Sequence, residues 1–399
     1  MKALSDVIVL DFTHMLAGPF GTMLLADMGA RTIKIEPPGA GEQTRRLQEN
    51  HPDYSLHGMG SYMLTLGRNK ESVAIDLKNS KGRALLHRLV QHADVVMNNF
   101  SPGVPKRLGI DHASLAAINP RIITCSLTGF GETGPEPNRP AFDMVAQGWS
   151  GGMSITGEPG QPPVRPGLPF ADLNAGMFAA IGILGALHAR ETTGRGQHVD
   201  ISMLDSQISL LTYMATMALM SGRDPVQLGN AHFGHTPYDS FRTKTGYLIL
   251  AVVTDQQWRS LVEVLDAAAL DDPAFATPAG RLEARPFITE QVQARLATDT
   301  CEAWLARLKA ASVPAGPVNG FLQALNDPQV RARNMVVRVE HPLGGSMEEP
   351  GNPVKLSDTY EDTFAPPPLV GQHTDAVLRD LLGLESAEIA ELRKAGAIG

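Results

Sequence analysis

Short apolar runs alternate with stretches of helical length along the first half of the chain. The pattern predicts a buried strand at residues 7–12 (VIVLDF), a helix at 20–28 and a second strand at 31–36 (RTIKIE). The same β-α-β order recurs in four further predicted elements: strand 72–77, helix 81–91, strand 94–98 and strand 121–127. Strands that alternate with helices form a parallel sheet covered on both faces, so we expect an α/β domain.

The pattern changes after Gly222. Residues 175–221 contain two apolar helices around a strand at 198–202. A strand then follows at 247–253, and Thr254 with Gln257 forms a capping box that opens the first of three amphipathic helices, at 256–265, 288–296 and 301–311. The chain beyond Asn326 is rich in Pro and Gly and irregular, with one last helix near 374–382.

These changes predict three segments. Residues 1–224 form a large domain with its connecting helices, residues 225–325 form a smaller α/β domain, and residues 326–399 follow as a C-terminal segment.

Composition narrows the classes of function. The chain has 399 residues, 43% of them hydrophobic, and a formal net charge of −8 without a long block of one sign. That balance argues against general nucleic-acid binding, which needs a basic face, although it leaves room for a local basic pocket. The two cysteines, Cys125 and Cys301, form neither a disulfide framework nor a zinc site, so we expect no metal and a reducing compartment.

No membrane element is expected from the sequence. The N-terminus lacks a signal-peptide pattern, and the longest uncharged apolar stretches, 175–189 and 208–220, are too short to span a bilayer comfortably. We therefore expect a soluble cytoplasmic protein without membrane or nucleic-acid partners.

Asp172 stands out as a candidate nucleophile. It lies in the sequence PFADLN, just before the apolar stretch 175–189. A carboxylate at the mouth of a buried helix meets the positive end of the helix dipole and unpaired amide donors, and both favour its ionised form. The alternative is helix capping, since Asp is a preferred cap residue. Asp143, which follows Arg139 by four residues, is either a second carboxylate at the site or the structural partner of an arginine, and we favour the structural role.

A glycine motif invites a different interpretation. Residues 129–134 (GFGETG) follow a strand and match G-x-G-x-x-G. A dinucleotide fingerprint must open a helix, whereas Pro135 and Pro137 follow here. We therefore predict a glycine-rich loop and expect no NAD.

Two further features suit an acyl-carrying cofactor. The segment 229–238 (GNAHFGHTPY) is either a turn before the strand at 247 or a mobile loop whose glycine amides approach a reacting carbonyl. Basic residues also cluster near strand ends, where a polyanion such as coenzyme A would suit them, although scattered solvated charges are the default. They are Lys34, Arg45, Arg46, Arg68, Lys70, Lys78, Lys106, Arg107 and Arg139.

Read together, the segments resemble the class III coenzyme A transferases, the family of formyl-CoA transferase and carnitine CoA-transferase. The resemblance runs nearly end to end and rests on ordered short segments: LDFTH with AGP (10–14, 17–19), IKIE (33–36), RNK with IDLK (68–70, 75–78), NNF with PG and RLG (98–100, 102–103, 107–109), GFG (129–131), RPAFD (139–143), TGRGQ (193–197) and PAGPV (314–318).

The resemblance implies a fold and a set of roles. The fold is a Rossmann-like large domain built from both chain ends plus a small α/β domain, and two chains interlock into a homodimer. Asp172 is the implied catalytic residue, with Gly229 and Gly234 as candidate amide donors. The implied coenzyme A contacts are His14, Met15, Leu16, Ala17, Ile75, Asp76, Leu77, Lys78, Asn99, Phe100, Ser101, Arg107, Arg139, Pro140, Ala141 and Phe142.

Two departures from formyl-CoA transferase bear on the substrate. That enzyme carries a glutamine at the place of Leu16 and a run of glycines at the place of His232 and His235. Family members with a GNAH-like loop use larger carboxylates, often dicarboxylates, so we expect such an acid instead of formyl-CoA and oxalate. Acceptor selection is assigned to Met15, Leu16, Met153, His232 and His235.

The mechanism implied is CoA transfer from an acyl-CoA to a carboxylic acid through mixed anhydrides and an aspartyl-CoA thioester on Asp172. An α-methylacyl-CoA racemase on the same fold is the first alternative, but racemases carry a His where this chain has Phe142, just before Asp143. A non-catalytic acyl-CoA-binding protein would not need Asp172. An oxidoreductase that uses the glycine loop is the most distant alternative.

Overall fold

The computed structural model describes residues 2–399, and all statements of absence below refer to this range. The strands are β1 Ile8–Asp11, β2 Arg31–Glu36, β3 Ser55–Leu56, β4 Met59–Gly60, β5 Lys70–Ala74, β6 Val95–Asn98, β7 Ile123–Thr128, β8 His198–Ser202, β9 Tyr238–Arg242, β10 Tyr247–Ala251, β11 Ala315–Pro317, β12 Val336–Glu340 and β13 Ser346–Pro350.

The α-helices are α1 Ala17–Asp27, α2 Ser61–Gly67, α3 Ser80–Val90, α4 Val104–Leu108, α5 His112–Ala116, α6 Asp143–Trp149, α7 Phe170–Thr193, α8 Met203–Leu210, α9 Thr212–Ser221, α10 Asp255–Leu265, α11 Pro278–Glu283, α12 Arg285–Leu296, α13 Cys301–Ala310, α14 Phe321–Leu325, α15 Pro328–Ala332, α16 Thr374–Leu382 and α17 Ser386–Lys394.

The chain divides into two compact units. The large unit comprises the described chain up to Gly152, Arg165–Met217 and Pro328–Gly399, and the small unit comprises Met153–Val164 and Ala218–Asp327. The expected segments had boundaries at 224/225 and 325/326, and they did not assign 153–164 to the small unit. That segment lacks the apolar periodicity from which its assignment could have been read.

A six-stranded parallel sheet forms the centre of the large unit, in the order β5-β2-β1-β6-β7-β8. The predicted α/β class with a parallel sheet is confirmed. The chain builds outward from β1 through β2 to β5, and then returns to build the other half through β6, β7 and β8. The strand order therefore reverses between β1 and β6, and crevices at such reversals bind ligands in open α/β sheets.

Both faces of the sheet are covered. Successive side chains of a strand point to opposite faces, so Leu10 packs with α3, α16 and α17, whereas Val9 packs with α1 and α7. Burial on both faces explains the apolar runs of the two central strands, IVLD in β1 and VVMN in β6.

Helices α1 and α7 cross at two glycines. A Cβ on Gly176 would lie 2.5 Å from the Ala17 carbonyl oxygen, and a Cβ on Gly21 would lie 2.8 Å from the Gly176 carbonyl oxygen. Such distances to backbone atoms exclude any side chain. The glycines therefore bring the first turns of α1 and α7 together, and these turns carry Ala17 and Asp172.

Helix α7 is longer than the apolar stretch 175–189 indicated. It begins at Phe170 and runs for 24 residues to Thr193. Gly194 follows as the C-cap with φ 68°. Among residues 2–399 it alone is long and apolar enough to cross a membrane by length and composition, in contrast to the expectation from the shorter stretch. It packs on α1, β7 and β8 within the large unit, and core helices satisfy the same criterion.

The small unit contains an antiparallel sheet in the order β11-β10-β9 with helices α10 to α13 packed around a core of its own. The predicted capping box is confirmed: Thr254 accepts a bond from the Gln257 amide, and the Gln257 side chain accepts one from the Thr254 amide.

The C-terminal segment contains more structure than its composition indicated. The helix predicted near 374–382 is confirmed as α16. The hairpin β12–β13 and the further helix α17 were not predicted, so the expectation of one last helix was wrong. Ile398 bridges to Ile75 beside β5, so the chain end completes the large unit. Short elements whose partners lie some 300 residues away leave little periodic signal.

Candidate active site

A cavity of about 620 Å³ opens at the carboxyl ends of the central strands of the large unit. The segments after β1, β6 and β7 line it, so it lies at the reversal of strand order. Its lining residues are His14, Met15, Leu16, Ala17, Gln43, Tyr62, Asn99, Phe100, Ser101, Pro102, Leu127, Thr128, Gly129, Pro137, Asn138, Arg139, Pro140, Ala141, Phe142, Asp143, Met144, Arg165, Pro169, Asp172 and Met203.

The loop after β1 is held across the strand reversal. Asn99, after β6, accepts a hydrogen bond from the His14 amide at 2.9 Å and donates its side-chain amide to the His14 carbonyl at 2.8 Å. The Met15 amide donates to the Thr44 hydroxyl at 2.7 Å, and Met15 adopts φ 66°. These bonds fix the segment that the resemblance assigns to coenzyme A. Burial lowers the pKa of His14, which favours the neutral form of its imidazole.

A buried network of charged side chains contacts the loop after β1 through Thr13. Asp11 accepts bonds from Lys70 at 3.0 Å, from Thr22 at 2.8 Å and from the Thr13 amide at 2.9 Å. Burial alone would raise the pKa of Asp11, but Lys70 and Lys34 hold it well below its usual range. Lys34 also donates to the Thr13 carbonyl at 2.8 Å.

Seven of the nine basic residues near strand ends fall into two groups, and the other two are Arg46, which is exposed, and Arg139. Lys34, Arg45, Arg68 and Lys70 are buried and paired with carboxylates, so they are unavailable to a phosphate. Glu36, the last residue of β2, is the buried partner of Arg45 at 2.7 Å. Nothing in the local sequence distinguishes a buried paired cation from a solvated one.

The other group is open to a ligand. Lys78, Lys106 and Arg107 are exposed and make no ion pair within residues 2–399. These three cations do not line the cavity.

The expected coenzyme A contacts at 75–78 also lie outside the cavity. They follow β5, at the same carboxyl edge of the sheet but two strands away from β1. Ile75 is buried, and the Asp76 amide donates to the Ala397 carbonyl.

Asp143 caps helix α7. Its Oδ1 accepts bonds from the amides of Ala171 at 2.9 Å and Asp172 at 3.3 Å, and its Oδ2 accepts a bond from Gln147 at 2.6 Å. Asp143 therefore has a structural role, but its partners are helix amides and a glutamine instead of the expected arginine. It also lines the cavity with Asp172, so it is at the same time the second carboxylate that the sequence offered as the alternative. Capping, the alternative considered for Asp172, belongs to Asp143.

Asp172 lies in the first turn of α7 and faces the cavity. No hydrogen bond to its carboxylate occurs within residues 2–399. Burial, followed by the charge of Asp143, raises its pKa from 3.8 to about 7. The expectation that helix amides would favour the ionised form is therefore wrong, because Asp143 occupies the nearest amides and adds a negative charge beside Asp172.

The segment 137–144 forms one wall of the cavity. Arg139 pairs with Glu136 at 3.4 Å, and its guanidinium lies 4.4 Å from the ring centroid of Trp149. Phe142 is 72% exposed at the start of α6. The glycine motif 129–134 forms a loop, as predicted, and the first helix after it begins at Asp143.

The loop 229–235 belongs to the small unit, as does Met153. Gly229 adopts φ 60°, and its amide donates to the Gly157 carbonyl at 3.0 Å. The Gly234 amide donates to His232 Nδ1 at 3.0 Å, and the His232 ring stacks on His235 with centroids 4.8 Å apart. Both glycine amides proposed as donors to a reacting carbonyl therefore already have partners within the small unit.

The cavity also contains residues that the sequence did not single out. Arg165 is the most consequential, because it brings a guanidinium to the same cavity as Asp172. It precedes Asp172 by seven residues in the run PPVRPGLPFAD, and this closeness in sequence is the signal from which its place in the cavity could have been predicted. No group of three or more His, Cys, Asp or Glu residues within the described range is arranged to hold a metal ion.

Comparison with known proteins identifies the family. The family model described as CoA-transferase family III matches residues 4–374. The mouse (Mus musculus) protein named succinyl-CoA:glutarate CoA-transferase is 36% identical over 399 residues, which cover 100% of this chain and 91% of that protein. Acetyl-CoA:oxalate CoA-transferase of Acetobacter aceti is 39% identical over 363 residues, 90% of each chain.

A solved structure agrees with these sequence matches. The crystal structure of a CAIB/BAIF family protein from Brucella suis superposes with a TM-score of 0.84 at 35% identity, covering 95% of this chain and 99% of that one. The resemblance inferred from the short sequence segments is confirmed, and the chain belongs to CoA-transferase family III, whose members transfer coenzyme A between acyl-CoAs and carboxylic acids.

Proposed function

We propose that this protein transfers coenzyme A between dicarboxylic acids, with Asp172 as the nucleophile that carries the acyl and CoA groups. The observation that carries the proposal is the state of the Asp172 carboxylate. It faces the cavity, has no hydrogen-bond donor within residues 2–399, and has a pKa raised to about 7.

This environment suits covalent catalysis. A carboxylate without donors keeps its lone pairs for attack, and near neutral pH a large fraction of Asp172 is ionised at a pKa of about 7. Once acylated, Asp172 carries no charge. Burial and the charge of Asp143 disfavour the carboxylate, so they also favour the acylated forms relative to it.

The proposed reaction balances in four steps. An Asp172 oxygen attacks the thioester carbonyl, and the C–S bond breaks to give a mixed anhydride and the CoA thiolate. The thiolate attacks the Asp172 carboxyl carbon and releases the donor acid, which leaves an aspartyl-CoA thioester. The acceptor carboxylate attacks that thioester and again releases the thiolate. Attack of the thiolate on the acceptor acyl carbon forms the new acyl-CoA and frees Asp172.

The relatives support the choice of substrate class. Those at 36% and 39% identity are named for succinyl-CoA with glutarate and for acetyl-CoA with oxalate, and a relative from Agrobacterium fabrum at 37% identity is named succinate--glutarate CoA-transferase. Each of these names contains a dicarboxylic acid. We extend that class to this chain, with four- and five-carbon acids as the first to test.

The proposal assigns the rest of coenzyme A to the large unit. The segments 14–17, 99–101 and 139–142 surround the reacting end, and the exposed cations Lys78 and Arg107 at the same sheet edge are available to its phosphates. A role for Gly229 or Gly234 as an amide donor requires that each give up its present bond.

We also propose an interlocked homodimer in the cytoplasm. Within the large unit, α7, α8 and the part of α9 up to Met217 have exposed apolar side chains, among them Ile181, Ile208, Tyr213 and Met217. Exposed apolar surface of this kind is typical of a subunit interface. Subunits that thread through each other cannot exchange without unfolding. Tagged and untagged dimers that are mixed should therefore form no hybrids until denaturant is added, whereas hybrids in buffer alone would contradict interlocking.

Trapping tests the nucleophile. The protein is incubated with succinyl-, glutaryl-, oxalyl- and acetyl-CoA, quenched with hydroxylamine, digested and mapped by mass spectrometry. We expect a hydroxamate on Asp172, absent in Asp172→Asn and present in Asp205→Asn, a matched change on α8 outside the cavity. Turnover without a hydroxamate at Asp172 would refute the assignment.

The racemase alternative is tested in the same samples. Loss of carbon-2 deuterium from the substrate to solvent would indicate the racemase reaction, for which His14 is the imidazole in the cavity.

A further inference from the structure

The charged side chains that line the cavity do not pair with one another. Two carboxylates, Asp143 and Asp172, and two guanidiniums, Arg139 and Arg165, line it. Asp143 is occupied by the helix amides and Gln147, and Arg139 is occupied by Glu136 and Trp149. Arg165 remains without an acidic partner.

The contacts of Arg165 are weak. Its one hydrogen bond runs from Nη1 to the carbonyl of the adjacent Pro166 at 3.3 Å, and it makes no ion pair within residues 2–399. A guanidinium has five donors, so most of its capacity is free for a ligand. Prolines at 162, 163, 166 and 169 restrict the backbone on both sides, which reduces the conformational entropy lost when the side chain binds an anion.

We propose that Arg165 selects dicarboxylic acyl groups by pairing with the carboxylate distal to the thioester, an inference that rests on the proposed role of Asp172. A planar guanidinium matches a carboxylate in two parallel hydrogen bonds. Arg165 and Asp172 line the same cavity at the two ends of one short segment. An acyl chain whose thioester lies at Asp172 thus has a cation within the cavity for its other end, and a methyl group in that place would leave the guanidinium unpaired.

The competing source of an anion is coenzyme A itself. A phosphate would also pair with Arg165, but it is common to every acyl-CoA, so it gives no discrimination between acyl groups. The measurement is therefore a ratio: kcat/KM for glutaryl-CoA divided by kcat/KM for valeryl-CoA, which has the same number of acyl carbons and a methyl group in place of the distal carboxylate.

Arg165 is solvent-exposed, so its pair with a carboxylate is worth the lower end of the range for charged hydrogen bonds. We therefore expect Arg165→Met to lower this ratio by about 10-fold and Arg165→Lys to lower it less. The control Arg121→Met, an exposed arginine of the large unit outside the cavity, should leave the ratio unchanged.

Each outcome decides the inference. A selective loss with glutaryl-CoA supports it, whereas an equal loss with both acyl-CoAs assigns Arg165 to coenzyme A and overturns it. No loss with either also overturns it. Hydroxamate formation at Asp172 with glutaryl-CoA is measured in the unsubstituted protein alongside these rates, because its absence during turnover would mean that the nucleophile assignment has failed first.

Discussion

Asp143→Asn tests how the site sets the reactivity of Asp172. The substitution removes the negative charge beside Asp172 and keeps an amide oxygen that can accept the bonds from the Ala171 and Asp172 amides. Helix α7 should therefore stay capped, since Asn is as good a cap as Asp. The substitution therefore removes the charge of Asp143 and leaves Asp172 where it is.

The structure bounds the size of the effect. Burial is the larger of the two causes that raise the pKa of Asp172 from 3.8 to about 7, and Asp143 is the smaller. Removing the charge of Asp143 therefore lowers the pKa by at most half of that rise, about 1.5 pH units, which corresponds to about 2 kcal/mol. We expect the pKa in the variant to lie between about 5.5 and 7.

The assay is the pH dependence of kcat/KM for the acyl-CoA at saturating acceptor acid, between about pH 5 and 9. In the proposed mechanism the reactive form of Asp172 is the carboxylate, so the acid limb of the profile should report the pKa of Asp172 in the free enzyme. That limb should move to lower pH in Asp143→Asn. At pH values above both pKa values the variant should be slower, because a less basic carboxylate is a weaker nucleophile.

The control is Asp205→Asn, the same chemical change on α8 outside the cavity, which should leave the acid limb in place. An acid limb that stays at the same pH in Asp143→Asn, or moves upward, would refute the electrostatic account of Asp172. A shift in both variants would indicate a general charge effect.

Three further predictions follow from the same structure. Asp172→Asn should abolish turnover. Because ionising Asp172 is penalised only in the folded state, the substitution should also raise the free energy of unfolding by up to about 4 kcal/mol above pH 7. Measured by denaturant unfolding, this gain in stability should fade as the pH falls toward the usual pKa of 3.8. Gly176→Ala should cost about 1–3 kcal/mol and lower activity, whereas Gly185→Ala, with no atom within 4 Å of its added Cβ, should be neutral or stabilising. Lys70→Met should cost about 3–5 kcal/mol by leaving Asp11 buried without its closest cation, and adding Asp11→Asn should recover part of that loss.

The sequence was most informative where periodicity carries the signal. The strands at 31–36 and 198–202 and the capping box at Thr254 have the predicted bounds, and the parallel sheet follows from the alternation of strands and helices. Pairings between distant segments were missed. Nothing in the local sequence indicates that Lys70 meets Asp11, or that 153–164 belongs with the chain after 218.

The site shows the same division between local and distant information. Sequence reasoning placed Asp172 at the mouth of a buried helix, and the structure has it in the first turn of α7. The error concerned which group the helix amides meet. They are taken by Asp143, 29 residues earlier, which reverses the predicted electrostatics: the helix end does not stabilise the Asp172 charge, and the capping carboxylate opposes it. Asp143 caps α7 and also raises the pKa of Asp172, the proposed nucleophile, so it links the stability of α7 to the proposed chemistry. Replacing Asp143 by alanine should therefore change both, and replacing it by asparagine should change mainly the second.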